Sequence, residues 1–443
     1  MQPSDTDDVR IIDLTQLSGE QRAALQRRAE ADLEPFLERV RPIVGAVRDE
    51  GDAALLRLAR ELEGATVERL RASPDDVERA EARLPAEIGE AIDFASASIR
   101  RFHEVQKPET MWLKEVRPGA FAGDRYRPIR SVACYVPRGK GAFPSVTMMT
   151  TIPAVVAGVP RVVVVTPPGP DGRIDDATLV AARRAGVEEV YACGGAQAIA
   201  AVAFGTETIP RTIKVVGPGS PYVIAAKRLL SDRIDTGLPA GPSEALILAD
   251  DSADGRIAAL DLIIESEHGP DSSAFLVTPS REVAEAAAAM LPELWARLGA
   301  ERARFSKTVL GGPRGGILVA RDMEDAIRFV NEYAPEHLEV LSHDPFGWLG
   351  EIEEAGEILL GTHTPIVLGN FVLGPDCVLP TGGWARTYSP LSVFDFMKRS
   401  SLGHVTAKAY PKLARHARTL AEYEGFDGHA LAVSELRDEL MRG

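Results

Sequence analysis

The fold of this chain is decided by residues 130–168, which read RSVACYVPRGKGAFPSVTMMTTIPAVVAGVPRVVVVTPP. An alternating and then continuous run of β-branched and apolar residues is typical of a strand, and a Gly-Lys-Gly turn at 139–141 ends it. A helix-like segment at 144–159 leads into a second β-branched run at 161–166. Strand, loop, helix and strand in this order predict two parallel strands joined by a helical crossover.

The same order recurs downstream of this stretch. The repeats read VEEVYACGGAQAIAAVAFG (187–205), RTIKVVGPGSPYVIAAKRLL (211–230) and SEALILAD (243–250). A second α/β stretch follows from there to about residue 341. Repeated units of this kind predict an α/β fold with parallel sheets covered by helices.

Glycine-rich turns follow several of these strands. In doubly wound folds such turns bind ligands, often phosphates, at the carboxyl ends of the strands. The turns GGAQA (194–198) and GPGSP (217–221) lack the GxGxxG pattern, so a dinucleotide site and a purely structural turn both remain open.

The flanks of the α/β region are helical. Apolar residues recur every three or four positions from about 20 to 105, as in QRAALQRRAEADLEPFLERVRPIVGAVRDEG, and Gly51 and Gly64 mark helix ends. Ser73 and Pro74 have the pattern of an N-cap followed by the first residue of a helix. The chain from about residue 361 is loop-rich and then helical again to the end.

Composition limits the possible partners. The 443 residues are 45% hydrophobic and 26% charged, as in an ordinary globular protein, and the net charge of −15 argues against nucleic acid or an anionic membrane surface. We therefore expect a small-molecule ligand. Three well-separated cysteines exclude a disulfide framework, and no signal peptide or apolar membrane span is recognisable, so we expect a cytoplasmic protein.

Two of the eight histidines directly follow a glutamate: His268 in EHGPD and His337 in PEHLEV. A Glu-His pair can bind a divalent metal, move a proton, or lie on a solvated surface. Neither pair has the HExxH spacing, so a metal site would need ligands from distant segments. At turn positions, Gln197, Ser243 and Asn370 are each open to a structural as well as a functional interpretation.

Eight segments in order make the chain resemble the histidinol dehydrogenase family. They are YVPRGKGAFPSVTMMTTIPAVVAGV, GGAQAIAAVAFGTETIP, VVGPGSPYVIAAKR, AGPSEALILAD, EHGPDS, YAPEHLE, VLPTGG and SPLSVFDFMKRSS. The resemblance implies a homodimer, two incomplete Rossmann-like domains, an N-terminal helical region and a small C-terminal helical tail that crosses to the partner. It also implies one Zn²⁺ per site, NAD as oxidant, and oxidation of L-histidinol through an aldehyde to L-histidine in histidine biosynthesis.

The resemblance also implies a division of the chain. Residues 1–130 would form the helical part of a first α/β domain, and residues 241–380 the remainder of that domain with the catalytic residues. Residues 131–240 would form a second Rossmann-like domain on the NAD side, and residues 381–443 the tail exchanged in the dimer.

The resemblance assigns roles to residues one by one. Glu336 and His337 match the catalytic pair, in which the histidine takes the alcohol proton and the glutamate activates the water that attacks the aldehyde. Such a base is chemically suitable, because histidine titrates near neutral pH. The remaining matches are zinc ligands (His268, and His429 from the partner's tail), substrate contacts (Ser243 and Glu424) and cofactor contacts (Tyr135 and Gln197).

Departures from the family pattern concentrate in the active site. The family's zinc-binding Gln is Glu265 here and its zinc-binding Asp is Asn370, so the two changes offset each other in charge. We therefore expect Glu265, His268, Asn370 and His429 to form the metal shell. The family's substrate-contacting His is Cys377, and the Asn of its GPGN turn is Ser220, which we place at the cofactor.

These departures leave alternatives for the function. The enzyme would oxidise either L-histidinol or, as a paralogue, another small polar alcohol such as an amino alcohol or a diol. A non-catalytic binding relative is the other class, although retention of the catalytic pair speaks against it. We further expect Glu265 and His268 to lie on the first turn of a helix, or in the loop before it, and to face one metal ion while Glu267 points elsewhere.

Overall fold

The computed structural model describes residues 9–28, 33–138 and 141–442, so Gly139 and Lys140 of the predicted turn and the extreme N-terminus lie outside the described residues. Its strands are β1 (Ile11–Asp13), β2 (Met111–Arg117), β3 (Ala120–Pro128), β4 (Ser131–Tyr135), β5 (Arg161–Thr166), β6 (Glu189–Ala192), β7 (Val215–Val216), β8 (Glu244–Ala249), β9 (Ser273–Thr278), β10 (Gly315–Val319), β11 (His337–Leu341), β12 (Glu357–Leu360) and β13 (Met397–Val405).

Helices alternate with these strands over most of the chain. They are α1 (Gly19–Leu25), α2 (Glu34–Glu50), α3 (Asp52–Glu63), α4 (Pro74–Arg83), α5 (Ala86–Gln106), α6 (Pro144–Ala157), α7 (Asp176–Ala185), α8 (Gly195–Phe204), α9 (Pro221–Leu229), α10 (Gly255–Ser266), α11 (Arg281–Arg297), α12 (Ala300–Leu310), α13 (Met323–Tyr333), α14 (Ile366–Phe371), α15 (Tyr410–Tyr423), α16 (Asp427–Ala432) and α17 (Glu435–Arg442). The predicted signals at Gly51, Gly64 and Ser73 lie at helix ends, and the Ser73 side chain accepts a hydrogen bond from the Asp76 N–H as an N-cap.

The larger sheet has six parallel strands in the order β1-β10-β9-β8-β11-β12. One face packs on α10, α11 and α12, and the other on α13. Burial of both faces explains why the central strands are continuous apolar runs such as ALILA at 245–249.

The smaller sheet has four parallel strands in the order β6-β5-β4-β7, with helices α6 to α9 around it. It contains the strand–helix–strand unit predicted from residues 130–168. The prediction of an α/β fold with parallel, helix-covered sheets is therefore confirmed.

The N-terminal helices pack against the smaller sheet's helices: α2 contacts α8 and α9, α4 contacts α7, and α5 contacts α6. The segment Leu70–Ala72 also hydrogen-bonds the edge strand β6. Residues 34–106 thus lie with the predicted NAD-side segment, whereas the predicted bounds group them with residues 241–380. The apolar faces of these helices could not indicate from sequence which sheet they cover.

The chain divides into two compact units, residues 1–107 with 129–396 and residues 108–128 with 397–443. The second unit contains an antiparallel sheet in the order β13-β3-β2 and helices α15 to α17. Its strands were not predicted, since residues 108–128 were assigned to a helical segment and the tail was expected to begin at 381. Within the described residues, no helix has both the length and the apolar character needed to cross a bilayer.

Candidate active site

One edge of the larger sheet gathers the polar residues singled out in the sequence. His337 begins β11 and lies in register with Ala245 near the start of β8 and with Glu357 at the start of β12. Parallel strands that begin together present their first residues at the same edge. The site therefore forms at the amino ends of these strands.

His337 is buried, with 3% of its surface exposed, and its Nδ1 lies 2.9 Å from Oε2 of Glu357. Burial alone lowers the pKa of this imidazole. The hydrogen bond to Glu357 and the charges of Glu336 and Glu265 outweigh burial and raise the pKa to about 9. The surroundings thus stabilise the imidazolium that forms when His337 accepts a proton.

Glu336 is also buried, and its Oε2 accepts a hydrogen bond from the Glu244 N–H at 2.8 Å. Burial raises the pKa of its carboxyl well above the ordinary value, and the charge of His337 opposes that shift. The chain reaches Glu336 through Ala334, whose left-handed φ of 51° ends α13. This conformation costs free energy in a non-glycine residue, and such strain is often found at functional sites.

The predicted metal ligands of the first unit lie together. Oε1 of Glu265 accepts a hydrogen bond from Nδ2 of Asn370 at 2.9 Å, and its Oε2 lies 3.1 Å from Nδ1 of His268. Glu265 is almost fully buried, with 1% exposed. Burial raises its pKa, but the charges of His268 and His337 and the hydrogen bonds from Asn370 and Ser243 outweigh burial and hold the pKa below the ordinary value.

The placement of Glu265 corrects one expectation. It lies in the last turn of α10, not the first, because Asp254 caps the start of that helix through the Arg256 N–H and Glu267 is its C-cap residue. The spacing of three residues still brings Glu265 and His268 side by side at the helix end.

The donor set of this cluster fits a zinc ion. Nδ1 of His268 lies 3.0 Å from the Ile264 carbonyl, so a proton on Nδ1 leaves the lone pair of Nε2 for a metal. One imidazole, one carboxylate and one amide oxygen are acceptable zinc ligands. Across residues 9–28, 33–138 and 141–442 no group of three or more His, Cys, Asp or Glu is placed to hold a metal, since the third neighbour here is an amide.

Two predicted substrate contacts lie in the same neighbourhood. Ser243 directly precedes β8 and hydrogen-bonds Glu265. Burial, followed by the charges of Asp376, Glu357 and other site carboxylates, raises the pKa of the Cys377 thiol well above its ordinary value. Cys377 is therefore a neutral thiol in an acidic neighbourhood, not a nucleophilic thiolate.

The predicted cofactor residues lie at the carboxyl ends of the smaller sheet. The Tyr135 hydroxyl, at the end of β4, accepts a hydrogen bond from the Gly195 N–H at 3.2 Å. The adjacent strand β7 runs into Gly217, where φ is 111° and a Cβ would lie 2.1 Å from the Tyr135 carbonyl oxygen, so only glycine fits. Ser220, at the N-cap of α9, is exposed and makes no capping hydrogen bond with its side chain.

Gln197, near the start of α8, donates a hydrogen bond from Nε2 to Oε1 of Glu63 at 3.1 Å. Burial raises the pKa of Glu63 to about 7. Glu63 was not predicted from sequence, because it is one acidic residue among many in a helical segment.

The two remaining predicted site residues lie in the second unit. Glu424 is the C-cap of α15, and His429 lies in α16 with its ring centroid 5.0 Å from that of Phe426. Both side chains are exposed.

Glu357 is the other residue that the sequence analysis missed. The only indication of Glu357 in the sequence is that this charged residue begins the otherwise apolar strand EILL at 357–360. Its partner, His337, is twenty residues away and is reached only through the pairing of β11 with β12.

The amino ends of β8, β11 and β12 thus hold a buried imidazole among carboxylates, beside a donor set suited to zinc, and the smaller sheet has glycine-rich turns at the carboxyl ends of its strands. Comparison with known proteins identifies the class further. The family model for histidinol dehydrogenase matches residues 26–437. The chain belongs to the histidinol dehydrogenase family, whose members are NAD-dependent oxidoreductases acting on CH–OH groups.

Individual relatives agree with this assignment. A protein of Mesorhizobium japonicum named "Histidinol dehydrogenase homolog 2" is 64% identical, with 98% of this chain and 100% of the relative covered. The "Histidinol dehydrogenase" of Synechocystis is 46% identical, with 98% and 100% covered. The crystal structure of histidinol dehydrogenase from Elizabethkingia anophelis superposes with a TM-score of 0.93 at 30% identity, covering 98% of this chain and 99% of that one.

Proposed function

We propose that this chain is a zinc-containing, NAD-dependent alcohol dehydrogenase that oxidises a small polar alcohol through the aldehyde to the carboxylate. L-Histidinol, giving L-histidine, is the first substrate to test. The observation that carries the proposal is the buried Glu336–His337 pair, which borders the cluster of Glu265, His268 and Asn370.

The chain's own groups supply the proton chemistry. In its neutral form His337 takes the hydroxyl proton, while a bound NAD would accept the hydride lost from the same carbon. The carboxylates around His337 stabilise the resulting imidazolium. Glu336 then accepts a proton from the water that adds to the aldehyde carbon. Burial favours this role, because it raises the pKa of Glu336 above its ordinary value and so makes the carboxylate a stronger proton acceptor.

Glu265, His268 and Asn370 would hold the zinc ion together with His429. A bound zinc ion would supply positive charge that favours ionisation of the substrate hydroxyl. Ser243 and Cys377 would contact the substrate, with Glu424. The departures from the family leave one carboxylate and one amide in the shell, so its total charge is that of the family arrangement.

The smaller sheet would bind NAD through Tyr135, Gln197 and Ser220. Numbered along the chain, its strands have the order 3-2-1-4, so the order reverses between β4 and β7. Crevices at such reversals, at the carboxyl ends of the strands, are where open α/β sheets bind dinucleotides. Gly217 and Gly195 support this role, since both have positive φ and allow close approach of the backbone.

We further propose a homodimer in which Glu424 and His429 complete the site of the partner. Their exposure on a separate small unit supports this proposal. Two residues with metal- and substrate-binding chemistry would otherwise face solvent.

A second candidate is a paralogue that oxidises a different amino alcohol or diol. Cys377 favours it, because the family's histidine at that position could hydrogen-bond an imidazole-bearing substrate and a neutral thiol does so weakly. Relatives that are 64%, 61%, 60% and 52% identical bear the name "homolog", whereas the Synechocystis relative at 46% is named histidinol dehydrogenase.

The two candidates separate in one experiment. Purified protein loaded with zinc is supplied with NAD and, in parallel, with L-histidinol, short amino alcohols and substituted diols, and NADH formation is followed. Turnover of L-histidinol alone supports the first candidate, and turnover of another alcohol supports the second. No NADH from any of them contradicts the enzyme proposal.

A further inference from the structure

Glu357, which has no role in the proposed function above, makes a direct side-chain contact with His337, the proposed base. Its Oε2 lies 2.9 Å from Nδ1 of His337, and the two residues are register partners at the starts of β12 and β11. Both are buried, with 7% of Glu357 and 3% of His337 exposed. The contact is therefore shielded from competing water.

The neighbouring helix leaves room for this carboxylate. A Cβ on Gly369 of α14 would lie 2.7 Å from Oε1 and 2.9 Å from Oε2 of Glu357, which is closer than real contacts allow. The backbone of Gly369 does not need positive φ, so glycine serves here to provide space. The missing side chain of Gly369 thus leaves the space that the carboxylate of Glu357 occupies beside His337.

The imidazole of His337 is the main polar contact of the Glu357 carboxylate. Oε1 is buried and has no hydrogen-bond partner among the described residues. A carboxylate accepts hydrogen bonds, so Nδ1 of His337 must carry the proton in this contact. In the neutral ring the lone pair is then on Nε2.

We propose that Glu357 is a positioning residue that fixes the tautomer and orientation of His337, so that Nε2 is the atom that takes the alcohol proton. This inference rests on the proposed role of His337 as the base. The proton passes from the alcohol oxygen to Nε2, Nδ1 keeps its own proton, and Glu357 stays ionised and stabilises the imidazolium. The arrangement is the carboxylate–histidine pair known from hydrolytic triads, in which the carboxylate orients the ring without taking the proton.

Steady-state kinetics on the zinc-loaded protein, with an alcohol that it oxidises, test the coupling. Glu357→Gln keeps an acceptor but loses the charge, and Glu357→Leu removes both. Each should lower kcat by about 10²–10⁴-fold. KM and zinc content should stay near those of the wild type. The matched control is Glu339→Gln, which alters a fully buried glutamate of β11 whose oxygens make no hydrogen bond to His337 and should leave kcat unchanged.

A double-mutant comparison separates positioning from a general structural role. Since Glu357 acts through His337, adding Glu357→Leu to His337→Asn should lower kcat no further than His337→Asn alone. The proposal would be overturned if the double variant lost kcat by the product of the two single losses. It would also be overturned if Glu357→Leu kept the wild-type kcat.

Nitrogen-15 NMR of the histidine rings gives a readout that needs no substrate. At a pH well above 9, where most of the ring is neutral, the His337 signals are identified by their loss in His337→Asn. They should show protonated Nδ1 and unprotonated Nε2. Glu357→Leu should abolish this preference, and a wild-type tautomer preserved in that variant would overturn the proposal. If no alcohol is oxidised, the proposed function fails and the NMR result still decides the role of Glu357.

Discussion

The two parallel sheets of the first unit differ in which strand ends carry functional groups. The larger sheet gathers buried titratable residues, among them Glu336, His337 and Glu357, at the amino ends of its strands. The smaller sheet has glycines and the neutral side chain of Tyr135 at its carboxyl ends. Proton transfer needs charges held in a low-dielectric setting, whereas a dinucleotide needs backbone that can be approached closely. The sheets therefore suit different halves of one reaction.

The largest expected effect on kcat comes from a substitution at the amino ends of the larger sheet, and a substitution at the carboxyl ends of the smaller sheet should act on NAD binding instead. His337→Asn should lower kcat by about 10²–10⁴-fold with little change in the KM for NAD, because it removes a general base. Tyr135→Phe, its counterpart at the other sheet, should raise the KM for NAD and leave kcat within a few-fold, because the partly buried Gly195 N–H loses its acceptor. The assignment breaks if His337→Asn retains normal turnover or if Tyr135→Phe mainly affects kcat.

The second prediction concerns the proposed zinc ligands Glu265 and Asn370, which lie near the buried charged residues of the larger sheet. Glu265→Gln leaves no anionic ligand and should weaken zinc binding by at least about tenfold. Adding Asn370→Asp should restore most of the zinc, since the two side chains are in contact and exchange their amide and carboxylate groups. Elemental analysis of the three proteins after dialysis against a weak chelator decides it, and equal zinc in wild type and Glu265→Gln would exclude a metal role for residue 265.

A third prediction asks whether the larger sheet's site is complete within one chain. Mixing inactive His429→Ala and inactive His337→Asn proteins should restore about a quarter of wild-type activity, because half of the dimers are hybrids and one of their two sites is intact. Activity is measured after subunit exchange, which labelled subunits verify. Exchange without recovered activity would show that the sites are not shared.

The smallest expected effect is on the free energy of unfolding, and it concerns Glu63 beside the smaller sheet. Glu63, beside Gln197, has a pKa raised by burial from about 4.5 to about 7, so the unfolded chain ionises first and the free energy of unfolding falls as pH rises between those values. Glu63→Gln should remove this loss and gain on the order of 1 kcal/mol above pH 7, a figure reduced for partial exposure, with no gain below pH 4.5. Denaturant unfolding at several pH values checks it, and a gain that does not depend on pH would contradict the assigned pKa.

The amino ends of the larger sheet and the carboxyl ends of the smaller sheet also differ in how far the sequence could predict them. The strand–turn–helix pattern predicted the parallel sheets, because this feature is local. The placement of Glu336 and His337 at amino ends, and their contact with Glu357, depend on strand register between distant segments. The helices at 34–106 were grouped with the wrong strands for the same reason, since an apolar helix face does not specify its partner. The β2–β3 hairpin was missed, because β2 is exposed along its whole length and β3 is only partly buried, so neither strand has a continuous apolar face.

The central claim is that the amino-terminal edge of the larger sheet carries both steps from alcohol to acid. The most direct test is the number of NADH molecules formed per molecule of limiting alcohol, measured at completion for the wild type and for Glu336→Gln. Our account predicts two for the wild type and close to one for Glu336→Gln, which can still lose the alcohol proton to His337 but activates water poorly. A single NADH from the wild type, or two formed at an unchanged rate by Glu336→Gln, would contradict it.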